Sequence, residues 1–184
     1  MKRIDPIAII SKYYETGSTA YMILVEHSGA VAQKSIEVAR RISYGRPDIE
    51  FVEEAAMLHD IGIFMTNVPD IGCHGDKPYI CHGYIGRELL EKEGLPKHAL
   101  VCERHVGVGI TVEDIDRAGL PLPRRDMLPL TIEEKIICYA DKFFSKRPDS
   151  LGKENLLEEV RNHIARYGRD KLKSFDRMSV LFNM

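Results

Sequence analysis

Imidazoles and carboxylates recur in this chain in apolar surroundings, and together they could do chemistry. On a helix, positions three and four apart share a face. Neighbours at those offsets therefore report how buried a polar group is. His27 has Ile23, Leu24, Ala30 and Val31 on its face. His59 and Asp60 follow Ala55, Ala56 and Met57 and precede Ile63. His82 faces Tyr79 and Ile85, and His105 faces Val101, Cys102 and Val108. Asp141 faces Ile137, Cys138 and Phe144. Four imidazoles and two carboxylates are thus expected to be half-buried. His163 reads as solvated, His74 as a loop residue, and His98 stays ambiguous.

A single buried histidine ordinarily hydrogen-bonds to a carbonyl. Six such groups ask for more. A buried carboxylate without a partner costs several kcal/mol, so it must find a cation. The faces of Asp60 and Asp141 offer almost no lysine or arginine beyond the adjoining Lys142. Neutral imidazoles and carboxylates are ligands for transition metals. Asp60 also falls near the C-terminal end of a predicted helix, where partial negative charge collects. A divalent cation would satisfy both demands.

The elements that must position these groups read as helical nearly throughout. Asp5-Pro6 looks like an N-cap followed by proline at the first helical position, opening a helix to about Tyr14. Apolar positions recur at helical spacing from Ala20 to Tyr44, with a kink expected near His27 to Gly29. A third helix runs from about Asp48 to Leu58 and is stopped by Gly62. Residues 63–79 carry Pro69, Gly72, Gly75 and Pro78 and read as a loop. Helices follow at about 80–93 and 96–106, and Thr111 with Asp114 suggests a short capped one. LPLPRRDMLP is a second loop, and Thr131 to Glu134 forms a capping box for a helix to about Ser145. Two amphipathic helices over 153–183 are expected either to complete the core or to form a homodimer face. No alternating strand pattern, repeat or low-complexity tract is evident. The fold class is all-α, one domain over 1–184, with the core at about 20–147.

At 184 residues the chain can bury a real core. Its net charge of −2 excludes a general pull toward nucleic acid or anionic membrane. No apolar run approaches the roughly 18–20 residues that span a bilayer. The start MKRIDPIAII is broken by Asp5 and Pro6 and does not read as a signal peptide. The cysteines, Cys73, Cys81, Cys102 and Cys138, form no CxxC pair and read as buried thiols of a cytoplasmic protein. The repeated Cys-His-Gly at 73–75 and 81–83 matches no standard zinc finger.

The order His27, His59-Asp60, His82, His105, Asp141 resembles the HD-domain metal-dependent phosphohydrolase superfamily over roughly residues 20–147. HDIG at 59–62 is the tetrapeptide from which one branch takes its name. HGYIG around His82, ERH ending at His105 and EEKIICYADKFFSKR resemble the bacterial HD-type diadenosine tetraphosphatases. RHVGVGIT and GLP…LPLTIEEKI look still more like an uncharacterised HDIG subgroup.

The resemblance implies a helical bundle holding one or two divalent metals, Fe, Mn, Co, Ni or Zn, with a dinuclear centre favoured. His27, His59, Asp60 and Asp141 would hold the first metal, and His82 and His105 a second, with Asp60 bridging and orienting the nucleophile. The implied reaction is attack of a metal-activated hydroxide on a phosphoester or phosphoanhydride of a small substrate, a nucleotide by expectation. Lys142, Lys146 and Arg147, with Arg104 and Lys77 behind them, are the candidate phosphate contacts. Many relatives place a lysine shortly after HD; here HDIGIFMT has none, and Lys77 is the substitute considered. Two alternatives stay open: an HD module that binds a nucleotide without turnover, and a di-iron HD enzyme of oxygen chemistry.

Overall fold

The computed structural model describes residues 3–42 and 44–182. Lys2, Ser43 near the expected end of the second helix and Asn183 at the expected end of the last one lie outside the described residues. Nine α-helices stand in chain order among the described residues: α1 (Pro6–Ile10), α2 (Thr19–Arg41), α3 (Ile49–Leu58), α4 (His82–Lys92), α5 (Pro96–Arg104), α6 (Val112–Ala118), α7 (Ile132–Asp141), α8 (Leu157–Ala165) and α9 (Arg169–Leu181). The all-α expectation holds, with one small addition. Residues 63–79 are not a bare loop, because β1 (Asn67–Val68) pairs antiparallel with β2 (Cys73–His74), flanked by 3-10 turns. Strands of two residues are too short to leave an alternating pattern in the sequence.

Local chemistry sets most boundaries. Asp5 accepts hydrogen bonds from the Ile7 and Ala8 amides at the start of α1, and Ser18 caps α2. Thr111 and Asp114 form a reciprocal capping box on α6. At α7 the box is only half made. Thr131 accepts from the Glu134 amide, but the Glu134 carboxylate turns to Arg104 and to the Leu130 amide instead.

Three helices differ from expectation, the first being α1, which stops at Ile10, short of Tyr14. α2 runs without a break past Gly29, because His27, Ser28, Val31 and Ala32 are buried around it. Packing there outweighs the roughly 1 kcal/mol that an interior glycine costs. α7 stops at Asp141, short of Ser145. The Phe143 carbonyl accepts both the backbone and the side-chain amide of Asn155, so the chain leaves the helix to pair with residues 151–155.

The core has two main parts. One joins α2, α3 and α7 to the C-terminal helices through Val31, Val52, Ala56, Ile136, Tyr139 and Phe175. The other joins α1, the start of α2, α4 and α5 through Ile10, Leu24, Leu58, Ile61, Leu90 and Cys102. The C-terminal helices complete the first part: the Phe175 ring stacks on Tyr139 at 5.1 Å, and Phe182 meets Tyr139 edge-on at 5.3 Å. No helix among the described residues is long and apolar enough to cross a membrane.

Candidate metal centre

The seam between the two core parts is where the chemistry collects. His27 lies on α2 between Leu24 of one part and Val31 of the other. Five of the six donors sit at helix ends. His59 caps α3 and Asp60 follows it, His82 opens α4, His105 caps α5, and Asp141 is the last residue of α7. His27, His59 and Asp60 have no solvent exposure, and the other three are buried.

Glycine permits this convergence. A Cβ at Gly62 would lie 2.3 Å from the His82 carbonyl oxygen and 2.6 Å from the Gly86 nitrogen. Only a bare backbone lets the turn after Asp60 seat against α4. At Gly83 a Cβ would lie 2.8 Å from the Cys102 carbonyl oxygen, so α4 and α5 also meet backbone to backbone, bringing His82 beside His105.

The tautomers are set locally. His59, His82 and His105 each direct Nδ1 at the carbonyl three residues earlier: Ala56 at 2.6 Å, Tyr79 at 2.6 Å and Cys102 at 2.7 Å. A carbonyl only accepts, so each Nδ1 carries the proton and each Nε2 presents a lone pair, the arrangement typical of metal-ligating histidines. Those lone pairs face further acceptors. Asp60 Oδ2 lies 3.0 Å from His59 Nε2 and 3.2 Å from His27 Nε2. Asp60 Oδ1 lies 3.3 Å from His82 Nε2 and 3.4 Å from His105 Nε2. Asp141 Oδ1 is 3.1 Å from His27 Nε2 and 3.4 Å from His59 Nε2.

Buried acceptors crowded together are costly unless a proton or cation sits among them. His59 Nε2 and both Asp60 oxygens lack any well-aligned hydrogen bond. Burial alone would lower the His59 pKa, but the carboxylates of Asp60 and Asp141 outweigh it and raise it to about 9. His82, dominated by burial, falls to about 3. The Asp60 carboxyl, despite burial, is held well below its usual range by His59 and Lys146. A divalent ion would do for the whole set what the proton does for His59 alone. Two overlapping groups have ligand atoms within 4.8 Å of one another: His27, His59, Asp60 and Asp141; and Asp60, His82 and His105. They share Asp60, whose two oxygens face the two groups separately. The donor set fits Fe, Mn, Co, Ni or Zn.

The candidate phosphate contacts separate in space. Lys146 Nζ is 2.5 Å from Asp60 Oδ2. Lys142 Nζ is 2.6 Å from Asp141 Oδ2 and donates to the His105 carbonyl. Both line a cavity of about 480 Å³ together with His82, His105 and Asp141. Arg147 is exposed and lines a neighbouring hollow that also touches Tyr79 and Lys146. Arg104 is not brought to the cavity; it makes two hydrogen bonds to the buried Glu134, at 2.9 and 3.1 Å. Lys77 pairs with its neighbour Asp76 on the surface, also outside the cavity lining.

Other residues matter that sequence reasoning passed over. Tyr79 borders both hollows, and Lys171, from the far end of the chain, reaches the cavity rim. His98 is buried and pairs with Glu54 at 3.3 Å, against the edge of Phe51. The four cysteines are buried free thiols, and none belongs to a metal-capable group among the described residues. His74 lies exposed on β2, away from the donors.

The family model described as HD domain matches residues 24–145, which takes in all six donors. The chain belongs to the HD domain family. It is 41% identical over 129 residues to an uncharacterised protein of Methanocaldococcus jannaschii, covering 67% of this chain and 69% of that protein. It is also similar to two tRNA (cytidine(56)-2'-O)-methyltransferases, of Thermoplasma volcanium (32% over 142 residues) and Picrophilus torridus (34% over 124 residues). The match covers 77% and 67% of this chain but only 37% and 32% of those proteins, so this HD chain spans about a third of their length. No solved structure matches closely.

Proposed function

We propose that this HD domain is a metal-dependent phosphohydrolase acting on a small phosphorylated substrate, a nucleotide in the favoured form. One observation carries the reading: two donor groups share the buried Asp60, and their His82, His105 and Asp141 line a cavity beside Lys142 and Lys146. His27, His59, Asp60 and Asp141 would hold a divalent metal, with His82 and His105 available for a second, and such an ion would supply positive charge against a phosphoryl oxygen and acidify water. The protein's own residues do the rest. Lys142 and Lys146 are placed to neutralise the oxygens of a bound phosphate. Asp60 spans the two donor groups, with one oxygen toward each. Nδ1 contacts to backbone carbonyls keep three imidazoles in one tautomer, so the site is organised before substrate arrives.

The test is metal analysis of purified protein, followed by phosphate-release assays of the same sample. The panel holds mono-, di- and cyclic nucleotides and dinucleoside polyphosphates. Metal-dependent release, lost in Asp60→Ala, supports the reading. Bound metal without turnover on any substrate returns the non-catalytic nucleotide-binding module. Tightly bound iron with oxygen consumption and no phosphatase activity returns the di-iron alternative.

A further inference from the structure

We infer that the cavity above the metal centre is a specificity pocket for an uncharged body with a flat ring, carrying one phosphate, of the size of a nucleoside monophosphate; this rests on the phosphohydrolase reading. The volume of about 480 Å³ lies within the usual small-molecule range of roughly 300–1,000 Å³. Above the polar floor the walls are Ile80, Val106, Val108, Ile110, Leu120 and Ile164. Two ring pairs are among the lining residues: Tyr79 packs on His82 with centroids 4.6 Å apart, and His163 meets Tyr167 edge-on at 5.5 Å. Apolar walls with rings suit the face of a flat organic body, and they offer nothing to a chain of phosphates.

Charge accounting agrees. At the rim Arg117 and Lys171 both bind the Asp114 carboxylate, and Lys171 also donates to the Gly109 carbonyl. Lys171 is largely buried against Asp114, whereas Arg117 stays mostly exposed. Lys142 and Lys146 are paired likewise, with Asp141 and Asp60, so each Lys or Arg side chain among the described lining residues already faces a carboxylate. So little uncompensated positive charge suits one phosphate; a polyphosphate would place its remaining charges along an apolar wall, at a desolvation cost.

Part of the pocket lies beyond the family match. The family match ends at residue 145, whereas Ile164, His163, Tyr167 and Lys171 come from α8, α9 and the turn between them. The opposite wall, 106–120, precedes and includes α6, which is locked to α9 by Asp114 and Lys171. Substrate choice is thus built in good part by segments that contribute none of the six donors.

The experiment uses the full chain loaded with Mn²⁺ and three probes: a nucleoside monophosphate, the matching triphosphate, and glycerol phosphate. The monophosphate should exceed both others in kcat/KM by about tenfold or more, the range that apolar pocket contacts supply. Tyr167→Ala, at an exposed position, and Leu120→Asp, at a half-buried one, should raise KM for the monophosphate about tenfold. Neither should change kcat, or the kinetics on glycerol phosphate. Separately, the uncharged nucleoside should bind saturably to metal-free protein by NMR titration and lose binding in Leu120→Asp. Preference for the triphosphate or for glycerol phosphate, or variants that impair all three probes alike, would overturn the pocket. If no probe releases phosphate yet the nucleoside binds as described, the pocket stands and the phosphohydrolase reading falls.

Discussion

His82 and His105 aim their Nε2 atoms at each other across 3.2 Å, although the Nδ1 of each already points at a backbone carbonyl. Two lone pairs at that distance repel unless something positive lies between them and Asp60. On the other side of Asp60, His27 and His59 converge on its second carboxylate oxygen. Asp60→Ala removes the one residue common to both groups. The expected outcome is loss of bound metal by elemental analysis and a fall in turnover of about a thousandfold or more, since metal charge stabilisation is worth several kcal/mol. A variant that retains metal and full activity would end the assignment.

Gly62→Ala should damage stability and metal binding together. Its Cβ would meet backbone atoms of α4, which cannot swing aside as a flexible side chain would. Overpacking of this kind costs about 1–3 kcal/mol. Urea midpoints measure the first effect, and metal content after dialysis the second. A stable variant with undiminished metal affinity would show that α4 shifts freely.

Arg104→Met separates structure from catalysis. The substitution leaves Glu134 buried without its partner. Breaking such a pair costs about 3–5 kcal/mol, and the partial exposure of Arg104 places this case near the lower figure. KM for a phosphorylated substrate should not move. A raised KM at unchanged stability would restore the phosphate-contact role suggested by its place in ERH.

Phe175→Ala should cost about 3–5 kcal/mol, as expected for an aromatic side chain removed from a full core. The residue has no exposure and stacks on Tyr139. Denaturant unfolding measures the loss. A loss below about 1 kcal/mol would mean that the C-terminal helices only lean on the core.

Asp114 makes stability depend on pH in a defined direction. Burial pushes its pKa up, but the Lys171 ammonium and the Thr111 amide and hydroxyl outweigh this and hold it at about 2. Its folded value lies below the unfolded one, near 3.9. The stabilisation is therefore complete above about pH 4 and is lost as pH falls toward 2. Asp114→Asn lacks it throughout. The stability gap between the parent and this variant, measured by thermal unfolding, should close as pH drops from about 5 to 2. A gap constant with pH would show that the carboxylate charge contributes nothing.

Much of the metal centre was legible because its donors stand on helices whose flanking residues are apolar. A polar group at offsets three and four from Ile, Val and Leu declares its own burial. Lys146 escaped that arithmetic. It lies five residues beyond the end of α7, and only the pairing of Phe143 with Asn155 turns it back onto Asp60. His98 and Glu54 stand 44 residues apart, so their pairing is purely tertiary. Arg104 followed the family pattern, and only the structure reveals Glu134 as its partner. The role of the C-terminal helices was equally hidden, since an apolar stripe does not name what covers it.

The seam position of the donors also bears on stability. The donors come from α2, α3 and the turn after it, α4, α5 and α7, elements divided between the two core parts, and Asp60 is common to both donor groups. Neither part holds the complete donor set by itself. An ion bound there would favour only the finished molecule, so stripping it should lower the stability of the joined whole.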